Sequence, residues 1–314
     1  MFRKCLIVAV LLGMWVAACA PASDQSTLKI AVLPILDALP MYVAEAQGYY
    51  TAAGIQVEFV PVASAAERDQ IIQAGQADGL INDLISTVLY NKDTPKIAIV
   101  RFAHSASKDS ALFSILVSKD SGLTTPDQLK GVAIGISEGT VIAYTTDRLL
   151  QHAGLTKADI QTTNVPKIPD RLRLLAEGQM KAANLPEPFA TLAEQSGAIR
   201  VTDDRRLPEI GASEISFSVA TLKAKPETVR KFLAALEKAT ADINATPEKF
   251  NALLTAKQLL PAALIGQYSL PKFPTASVPS EAQLKDVQAW MIEKGLLKVE
   301  VAYTKLVDAT YLPK

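Results

Sequence analysis

Four carboxylates lie in loops that directly follow predicted β-strands. In open α/β sheets, ligands bind beyond the carboxyl ends of the strands. No Lys or Arg occurs within these four loops, so we expect a negatively biased cleft, suited to a ligand rich in N–H donors or positive charge. The four residues are Asp37, Asp83, Glu138 and Glu187.

Each of these acids also fits an ordinary structural role. Asp37 and Asp83 are placed to cap the N-termini of helices. Glu138 and Glu187 are placed in first helical turns, where the helix dipole stabilises negative charge. One acid alone favours the structural interpretation, whereas four acids on four cleft-facing loops favour binding.

The same loops carry further candidate binding residues. Asn82, Ser137 and Thr140 offer neutral polar groups, and Tyr42 and Phe189 at the rim suit a flat ring or a cation. The turn that starts at Ser137 can also present backbone N–H groups to an anion, as helix starts do. A ligand that carries both a positive and a negative group therefore remains an alternative.

The chain lacks the residues of the common catalytic and metal sites. There is no Gly-x-Ser-x-Gly motif and no phosphate-binding loop. The two cysteines, Cys5 and Cys19, both lie near the N-terminus, and His104 and His152 are the only histidines. We therefore expect no disulfide, no catalytic residue, no metal and no cofactor in the folded body.

The N-terminus predicts export and anchoring. Arg3 and Lys4 precede a short apolar run at 5–18, which is typical of a signal peptide and too short for a membrane span. The run ends in Val-Ala-Ala-Cys, like a bacterial lipobox that places an acylated cysteine at Cys19. Ordinary cleavage before that residue is the alternative. We predict a signal peptide at 1–18 and a lipidated tether at 19–27.

The charge of the remaining chain gives no indication of a nucleic-acid partner. Without Arg3 and Lys4, the sequence has 30 basic residues against 32 acidic ones. Such a balance lacks the basic excess that binds phosphates.

A duplicated pattern indicates two similar lobes. An Ala-Gly pair opens a β-rich run, and an Arg then precedes a Gly-Gln pair by seven residues, once in each half of the chain. One supersecondary unit used twice predicts two α/β lobes that face each other across a cleft. The paired landmarks are Gly54 and Gly154, Arg68 and Arg171, and Gly75 and Gly178.

Alternating strand and helix patterns predict mainly parallel sheets with helices on both faces. Predicted strands cover 28–33, 55–62, 77–81, 96–102, 111–117, 131–136, 160–165, 181–185, 199–202 and 215–221. Predicted helices cover 65–73, 84–90, 141–152, 170–177, 189–195, 226–244, 247–256, 261–267 and 280–294.

Two breaks in this alternation divide the chain. We place the crossings between lobes at 101–117 and 213–222. The first lobe then comprises 28–110 and 223–314, and the second comprises 111–222. Arg101 lies near the first crossing, where we expect an ion pair between lobes or, second, a contact with an anionic ligand.

Several motifs resemble one family over nearly the whole chain. Besides the signal and lipobox they are LPMYVAEAQGYY at 39–50, GIQVE at 54–58, IQAGQAD at 72–78 and LLAEGQ at 174–179. They resemble solute-binding proteins of ABC importers, and most closely the NMT1/THI5-like group, which includes sulfonate, nitrate and thiamine-precursor binders.

The resemblance implies a type II periplasmic binding protein fold with two lobes and a two-strand hinge that closes on a ligand. It further implies a lipid-anchored monomer outside the cytoplasm that serves an ABC permease and its ATPase. An amino-substituted heterocycle, such as a thiamine-precursor pyrimidine, is the ligand we expect; an alkylsulfonate or other small anion is the alternative. An extracytoplasmic enzyme or sensor on the same fold is a further alternative. Enzymes among the relatives use a Cys-rich motif that this chain lacks.

Overall fold

The computed structural model describes residues 26–313. The predicted signal peptide at 1–18 and the lipidation site Cys19 lie outside the described residues, as does most of the tether at 19–27. Within residues 26–313, no helix has the length and apolar character needed to cross a membrane.

Ten strands in the described residues form two sheets of five. The strands are β1 Thr27–Val32, β2 Gln56–Pro61, β3 Gly79–Asn82, β4 Ile97–Ser105, β5 Phe113–Val117, β6 Ala133–Ile136, β7 Gln161–Asn164, β8 Ala182–Pro186, β9 Ile199–Asp203 and β10 Ala212–Ser218. The first sheet has the order β2-β1-β3-β10-β4, and the second has the order β7-β6-β8-β5-β9.

Eleven α-helices of the described residues flank these sheets, with short 3-10 turns between several elements. The helices are α1 Leu39–Ala46, α2 Tyr49–Ala52, α3 Ala65–Gln73, α4 Leu84–Asn91, α5 Val141–His152, α6 Ile168–Ala176, α7 Phe189–Gln195, α8 Val219–Ala224, α9 Pro226–Ala245, α10 Asn251–Ala256 and α11 Glu281–Glu293.

The two sheets have the same topology. In the first, β1 pairs in parallel with β2 and β3, and β10 runs antiparallel between β3 and β4. In the second, β6 pairs in parallel with β7 and β8, and β5 runs antiparallel between β8 and β9. Each lobe is thus a mainly parallel sheet with one reversed strand. The predicted two-lobed α/β fold is confirmed.

The chain passes between the sheets twice, at 106–112 and at 204–211. The second crossing was expected at 213–222, but β10 lies fully inside the first sheet. The strand predicted at 215–221 ends at Ser218, because its hydroxyl accepts the N–H of Thr221 at 3.0 Å and starts α8. Because a side-chain cap of this kind favours the start of a helix, the residues after Ser218 form α8 instead of continuing the strand.

The long helix α9 covers the first sheet as its apolar spacing predicts. The residues at the expected positions are all buried, and α9 packs against α1. Burial of one such side chain contributes about 1.5–3 kcal/mol. These residues are Val229, Phe232, Leu233, Leu236 and Ala239.

The helix α11, grouped with the first lobe from sequence, contacts both lobes. Its apolar side packs in one core with residues of α4 from the first lobe and α5 from the second. Trp290 donates its indole N–H to Asp147 of α5 at 2.7 Å. Asp286 accepts from the Tyr144 hydroxyl at 2.6 Å and from Arg148 at 2.9 Å. A helix from the C-terminal part of the chain therefore joins the lobes in addition to the two crossings.

Arg101 bridges neither the lobes nor the cleft. Its buried guanidinium bonds Glu237 of α9 at 2.5 Å, Thr240 at 3.1 Å and the Pro274 carbonyl at 2.8 Å. All three partners belong to the α9 side of the first lobe. The prediction that Arg101 forms an ion pair between the lobes is wrong, because its side chain extends from β4 toward α9.

We predict that Arg101→Met destabilises the first lobe. The substitution leaves the Glu237 carboxylate and the Pro274 carbonyl without their donor, so unfolding free energy should fall by about 3 kcal/mol. Chemical denaturation measures this loss. Arg173→Met, which removes an exposed ion pair with Glu177, is the control and should change stability by no more than about 0.5 kcal/mol. Equal effects of the two substitutions would contradict the prediction.

Candidate functional site

A cleft opens where the carboxyl ends of the two sheets face each other, and residues of both lobes line it. Six of the nine residues predicted as binding residues line this cleft. Three come from the first lobe and three from the second. They are Asp37, Asn82, Asp83, Ser137, Thr140 and Glu187.

The other three predicted residues do not line the cleft. The ring of Tyr42 packs on Phe59 at 4.7 Å, with the Lys257 ammonium 4.6 Å from its centroid. Glu138 is exposed, and Phe189 is half-buried at the start of α7. Tyr42 and Phe189 lie on helices that follow the cleft loops, and the helical turn carries their rings away from it.

Most of the cleft wall is apolar. Aliphatic side chains and one aromatic ring from both lobes separate the polar groups. Such a wall suits a ligand with an organic body rather than a bare inorganic ion. Representative residues are Leu33, Ile35, Phe113, Val141, Ile142 and Ile168.

Asp37 uses both carboxylate oxygens within the protein. Oδ2 accepts from the Ser213 hydroxyl at 2.5 Å, and Oδ1 lies 3.1 Å from Nδ1 of His104. Ser213 and His104 are opposite each other in the β10–β4 register. Asp37 therefore fastens the first cleft loop to two strands and caps no helix.

Asp83 caps the N-terminus of α4, as its structural interpretation predicts. Oδ1 accepts the N–H of Ser86 at 2.9 Å, and Oδ2 lies 3.6 Å from Nη2 of Arg68. Burial raises the pKa of Asp83, and the charge of Arg68 opposes that rise.

Glu187 is likewise paired. Oε1 accepts from Nη2 of Arg200 at 2.8 Å, and Oε2 accepts from the hydroxyl of Thr191 at 2.7 Å and from its N–H at 3.2 Å. Arg200 also bonds Glu194 at 2.6 Å. Each carboxylate of the cleft wall thus has a cation, an imidazole or N–H and O–H donors beside it.

A fourth acid, Glu214 on β10, lies close to this wall without facing a partner. Both of its carboxyl oxygens are buried and have no hydrogen-bond partner among residues 26–313. Burial raises its pKa well above the usual range, and the charges of Asp83 and Asp37 act in the same direction while Arg68 opposes them. Burial therefore disfavours the ionised form of Glu214.

Two arginines line the cleft, so the expectation that no base lies there is wrong. Arg68 belongs to α3 and Arg171 to α6, and both are almost fully buried. The sequence argument considered only loops, but side chains on a helix tilt toward its N-terminus and reach the strand ends. The repeat carried the signal, because these two residues are landmarks of the duplicated unit.

Arg68 is neutralised by two carboxylates. Its Nη2 lies 2.8 Å from Asp69 and 3.6 Å from Asp83. Its Nη1 also donates to the Ile81 carbonyl at 3.4 Å.

Arg171 has no carboxylate partner among the described residues. It donates only to backbone carbonyls, those of Val165 at 2.7 Å, Pro166 at 3.1 Å and Asn184 at 3.1 Å. Burial lowers the pKa of Arg171 to about 10, which still leaves it charged at neutral pH.

The difference between the two arginines follows from the sequence of the repeats. An offset of 103 relates Arg68 to Arg171. The same offset places Leu172 where the first unit has Asp69, and Pro186 where it has Asp83. The second lobe kept the buried cation of the duplicated unit but has apolar residues in place of both counter-charges.

The arrangement can bind a ligand through a charged group and apolar side chains. The Ser213 hydroxyl donates to Asp37 and not to His104, so these three residues do not form a serine–histidine pair. Across residues 26–313, no group of three or more His, Cys, Asp or Glu side chains could hold a metal ion. The site can pair a negative ligand group with Arg171 and bury an organic body against the apolar wall.

Two α/β lobes of identical topology around such a cleft define the fold of periplasmic binding proteins. The family model described as NMT1/THI5 like matches residues 36–250. The chain belongs to this family.

The known proteins that resemble this chain carry names that refer to different activities. A 4-amino-5-hydroxymethyl-2-methylpyrimidine phosphate synthase of Saccharomyces cerevisiae is 24% identical over 241 residues, which cover 73% of this chain and 69% of that protein. Riboflavin-binding protein RibY of Chloroflexus aurantiacus is 26% identical, with 80% of this chain and 71% of that protein covered. Among solved structures, the periplasmic aliphatic sulphonate binding protein SsuA of Escherichia coli superposes with a TM-score of 0.76 at 20% identity, covering 90% of this chain and 97% of that one.

We predict that Asp83 acts on stability through its cap. Asp83→Ala removes the acceptor for the Ser86 N–H and should lower unfolding free energy by about 1–2 kcal/mol. Asp83→Asn keeps an acceptor oxygen and should cost clearly less, since Asn caps helices about as well as Asp. Denaturant titration of the two variants makes the comparison. If Asp83→Asn lowers stability as much as Asp83→Ala, the contribution of Asp83 comes from its charge beside Arg68 and not from the helix cap.

Proposed function

We propose that this protein is the solute-binding component of an ABC importer, which captures a small molecule between its lobes and delivers it to a membrane permease and its ATPase. The observation that carries the proposal is the cleft at the carboxyl ends of two matching sheets, lined by both lobes. Membership of the NMT1/THI5-like family and the fold shared with a sulphonate-binding protein support it.

Capture would proceed by closure of the lobes about the crossings at 106–112 and 204–211. Closure buries the ligand and brings the two lobes together. The closed protein then presents one defined face of each lobe to the permease. The helix α11 packs on α4 and α5 at once, so closure must also repack that contact.

We further propose that the protein works outside the cytoplasm as a lipid-anchored monomer. The motif that ends at Cys19 and the preceding apolar run support an acylated N-terminus. A tether between that residue and β1 would leave the lobes free to meet the permease.

The ligand that the geometry favours has an anionic group on an apolar body. A buried guanidinium with no counter-charge is costly, and an anion that pairs with it recovers that cost. Arg171 provides such a group in the cleft, beside the apolar residues Ile142 and Ile168. The Escherichia coli structure named for aliphatic sulphonate supports the same ligand class.

An amino-substituted heterocycle is the second candidate. Asp37, Asp83 and Glu187 do line the cleft, and relatives are named for a pyrimidine phosphate and for riboflavin. These carboxylates already have partners within the protein, so a heterocycle would have to share them. That competition places this candidate behind the anion.

An enzymatic role is the alternative from a different class, because the yeast relative is named as a synthase. The absence of a serine–histidine pair in the cleft favours binding. Recovery of a bound compound unchanged after prolonged incubation would agree with transport, and its conversion would favour the enzyme.

We predict that a small-molecule ligand stabilises the protein and compacts it. A ligand at 100 times its dissociation constant should raise unfolding free energy by about 2.7 kcal/mol. Thermal-shift screening of alkanesulfonates, carboxylates and aminopyrimidines detects the ligand, and small-angle scattering compares the free and bound forms. Superimposable scattering profiles for a confirmed ligand would contradict closure, and a screen without any ligand would count against the solute-binding assignment.

We predict that Arg171→Gln selectively weakens anion binding. Loss of one charge-assisted hydrogen-bonding group should cost hexanesulfonate about 1.5–3 kcal/mol of binding free energy. Calorimetry with hexanesulfonate and with 1-hexanol separates the effect on the charge from any effect on folding.

Arg68→Gln is the matched control, since Arg68 is equally buried at the corresponding position but is balanced by Asp69 and Asp83. It should reduce the preference for the sulfonate much less. An unchanged sulfonate affinity in Arg171→Gln would refute the anion site. Binding of an aminopyrimidine that depends on Glu187 or Asp83 would then favour the second candidate.

A further inference from the structure

The two chain crossings meet at one buried carboxylate, that of Asp204. This residue follows β9 at the start of the second crossing and is fully buried. Its Oδ1 accepts the N–H of Leu112 at 2.9 Å, and its Oδ2 accepts the N–H of Phe113 at 3.0 Å. Leu112 ends the first crossing, Phe113 begins β5, and both residues line the ligand cleft. One side chain thus ties the second crossing to the first.

The other end of the second crossing packs against the same carboxylate. A Cβ atom at Gly211 would lie 1.9 Å from Oδ2 of Asp204, so only glycine fits there. The Gly211 carbonyl accepts the N–H of Ala106 at 2.7 Å, at the start of the first crossing. The two crossings are therefore joined at both ends, with Asp204 between them.

The same contact extends to the cleft wall. The Leu112 carbonyl accepts the N–H of Glu187 at 2.9 Å, and Glu187 lines the cleft. A shift of Leu112 relative to Asp204 would therefore move a residue of the cleft as well as the chain that links the lobes.

We propose that Asp204 is the positioning residue of the interlobe hinge: its carboxylate fixes the angle between the two crossings and so sets the range of lobe orientations in the ligand-free protein. Asp204 does not line the cleft and acts through the crossings. The inference rests on the proposed closure of the lobes, but its test requires no ligand.

The ionised form is the one that can hold both donors. A carboxylate offers an acceptor oxygen to each N–H, whereas a protonated carboxyl or an amide offers one carbonyl oxygen and one donor group. Burial raises the pKa of Asp204 to about 7, and the charge of Asp203 adds to the rise, while the N–H bonds from Leu112 and Phe113 oppose it. Protonation as pH falls through this value should release one of the two N–H groups.

Few other charges bear on this carboxylate. Asp203 is itself paired with Arg205 at 2.6 Å. The remaining charged side chains of the two crossings are exposed. They are Lys108, Asp109, Arg206 and Glu209.

Electron–electron distance measurements between two spin labels test the inference directly. Cys5 and Cys19 are the only cysteines of the full chain, so replacing both by Ala makes two introduced cysteines the only labelled sites. Exposed positions on the outer strands of the two sheets, Gln56 of β2 and Thr162 of β7, report the interlobe distance.

At a pH of about 8, where Asp204 is mostly ionised, we expect a narrow distance distribution in the otherwise unsubstituted protein. Asp204→Asn should give a broader distribution. Asp78→Asn is the control: Asp78 accepts the N–H of Lys29 at 2.9 Å within the first lobe, so its loss should leave the distribution narrow. A distribution in Asp204→Asn as narrow as that of the reference, or equal broadening in Asp78→Asn, would overturn the inference.

A pH titration of the same labelled protein provides a second readout. If Asp204 had a merely structural role, the width of the distance distribution would not depend on pH. The distribution should broaden as pH falls, with a midpoint near the Asp204 pKa of about 7, and this transition should be absent in Asp204→Asn. If Asp204→Asn fails to fold, the titration of the reference decides alone, and a distribution that does not change with pH overturns the inference. These results are independent of ligand screening, so a failed hinge and a failed solute-binding assignment remain distinguishable.

Discussion

The structure of this protein depends on how buried charges in its cleft are paired. A charge removed from water is tolerated only with a counter-charge or several hydrogen bonds. Asp37, Asp83 and Glu187 satisfy this condition through His104 with Ser213, Arg68 and Arg200. Arg171 satisfies it only in part, through backbone carbonyls. Arg171 is thus a buried cation without a counter-charge among the described residues, which the loop residues alone did not predict.

Duplication explains why the unbalanced cation exists. Both lobes have the same strand order, and each contains a buried arginine at the same place beside the cleft. The first lobe surrounds its arginine with Asp69 and Asp83. The second lobe has Leu172 and Pro186 at those places. A symmetric scaffold with an asymmetric charge pattern gives one wall whose arginine is paired with carboxylates and one whose arginine can bind an anion, which is how a single fold can serve different ligands.

The connection between the lobes is more than a pair of strands. The crossings are fastened to each other through Asp204 and Gly211. The helix α11 adds a second connection, because its apolar face packs on both lobes and Asp147 and Asp286 anchor it to the second. Lobe motion must therefore occur without separating α11 from either partner, which favours small rotations with sliding at packed helices over free opening.

The sequence by itself determined the two α/β lobes, the long helices and the loops that form the cleft, because repeat spacing, apolar periodicity and caps are local properties. The apolar stripe of α9 and the boundaries of α3 and α5 are as predicted. Only the tertiary structure decided which charges meet. Asp37 is 176 residues from Ser213, and Arg101 is 136 residues from Glu237. No local pattern encodes such partners, since they depend on how whole elements pack, and for that reason the loop acids predicted the place of the site but not its charge.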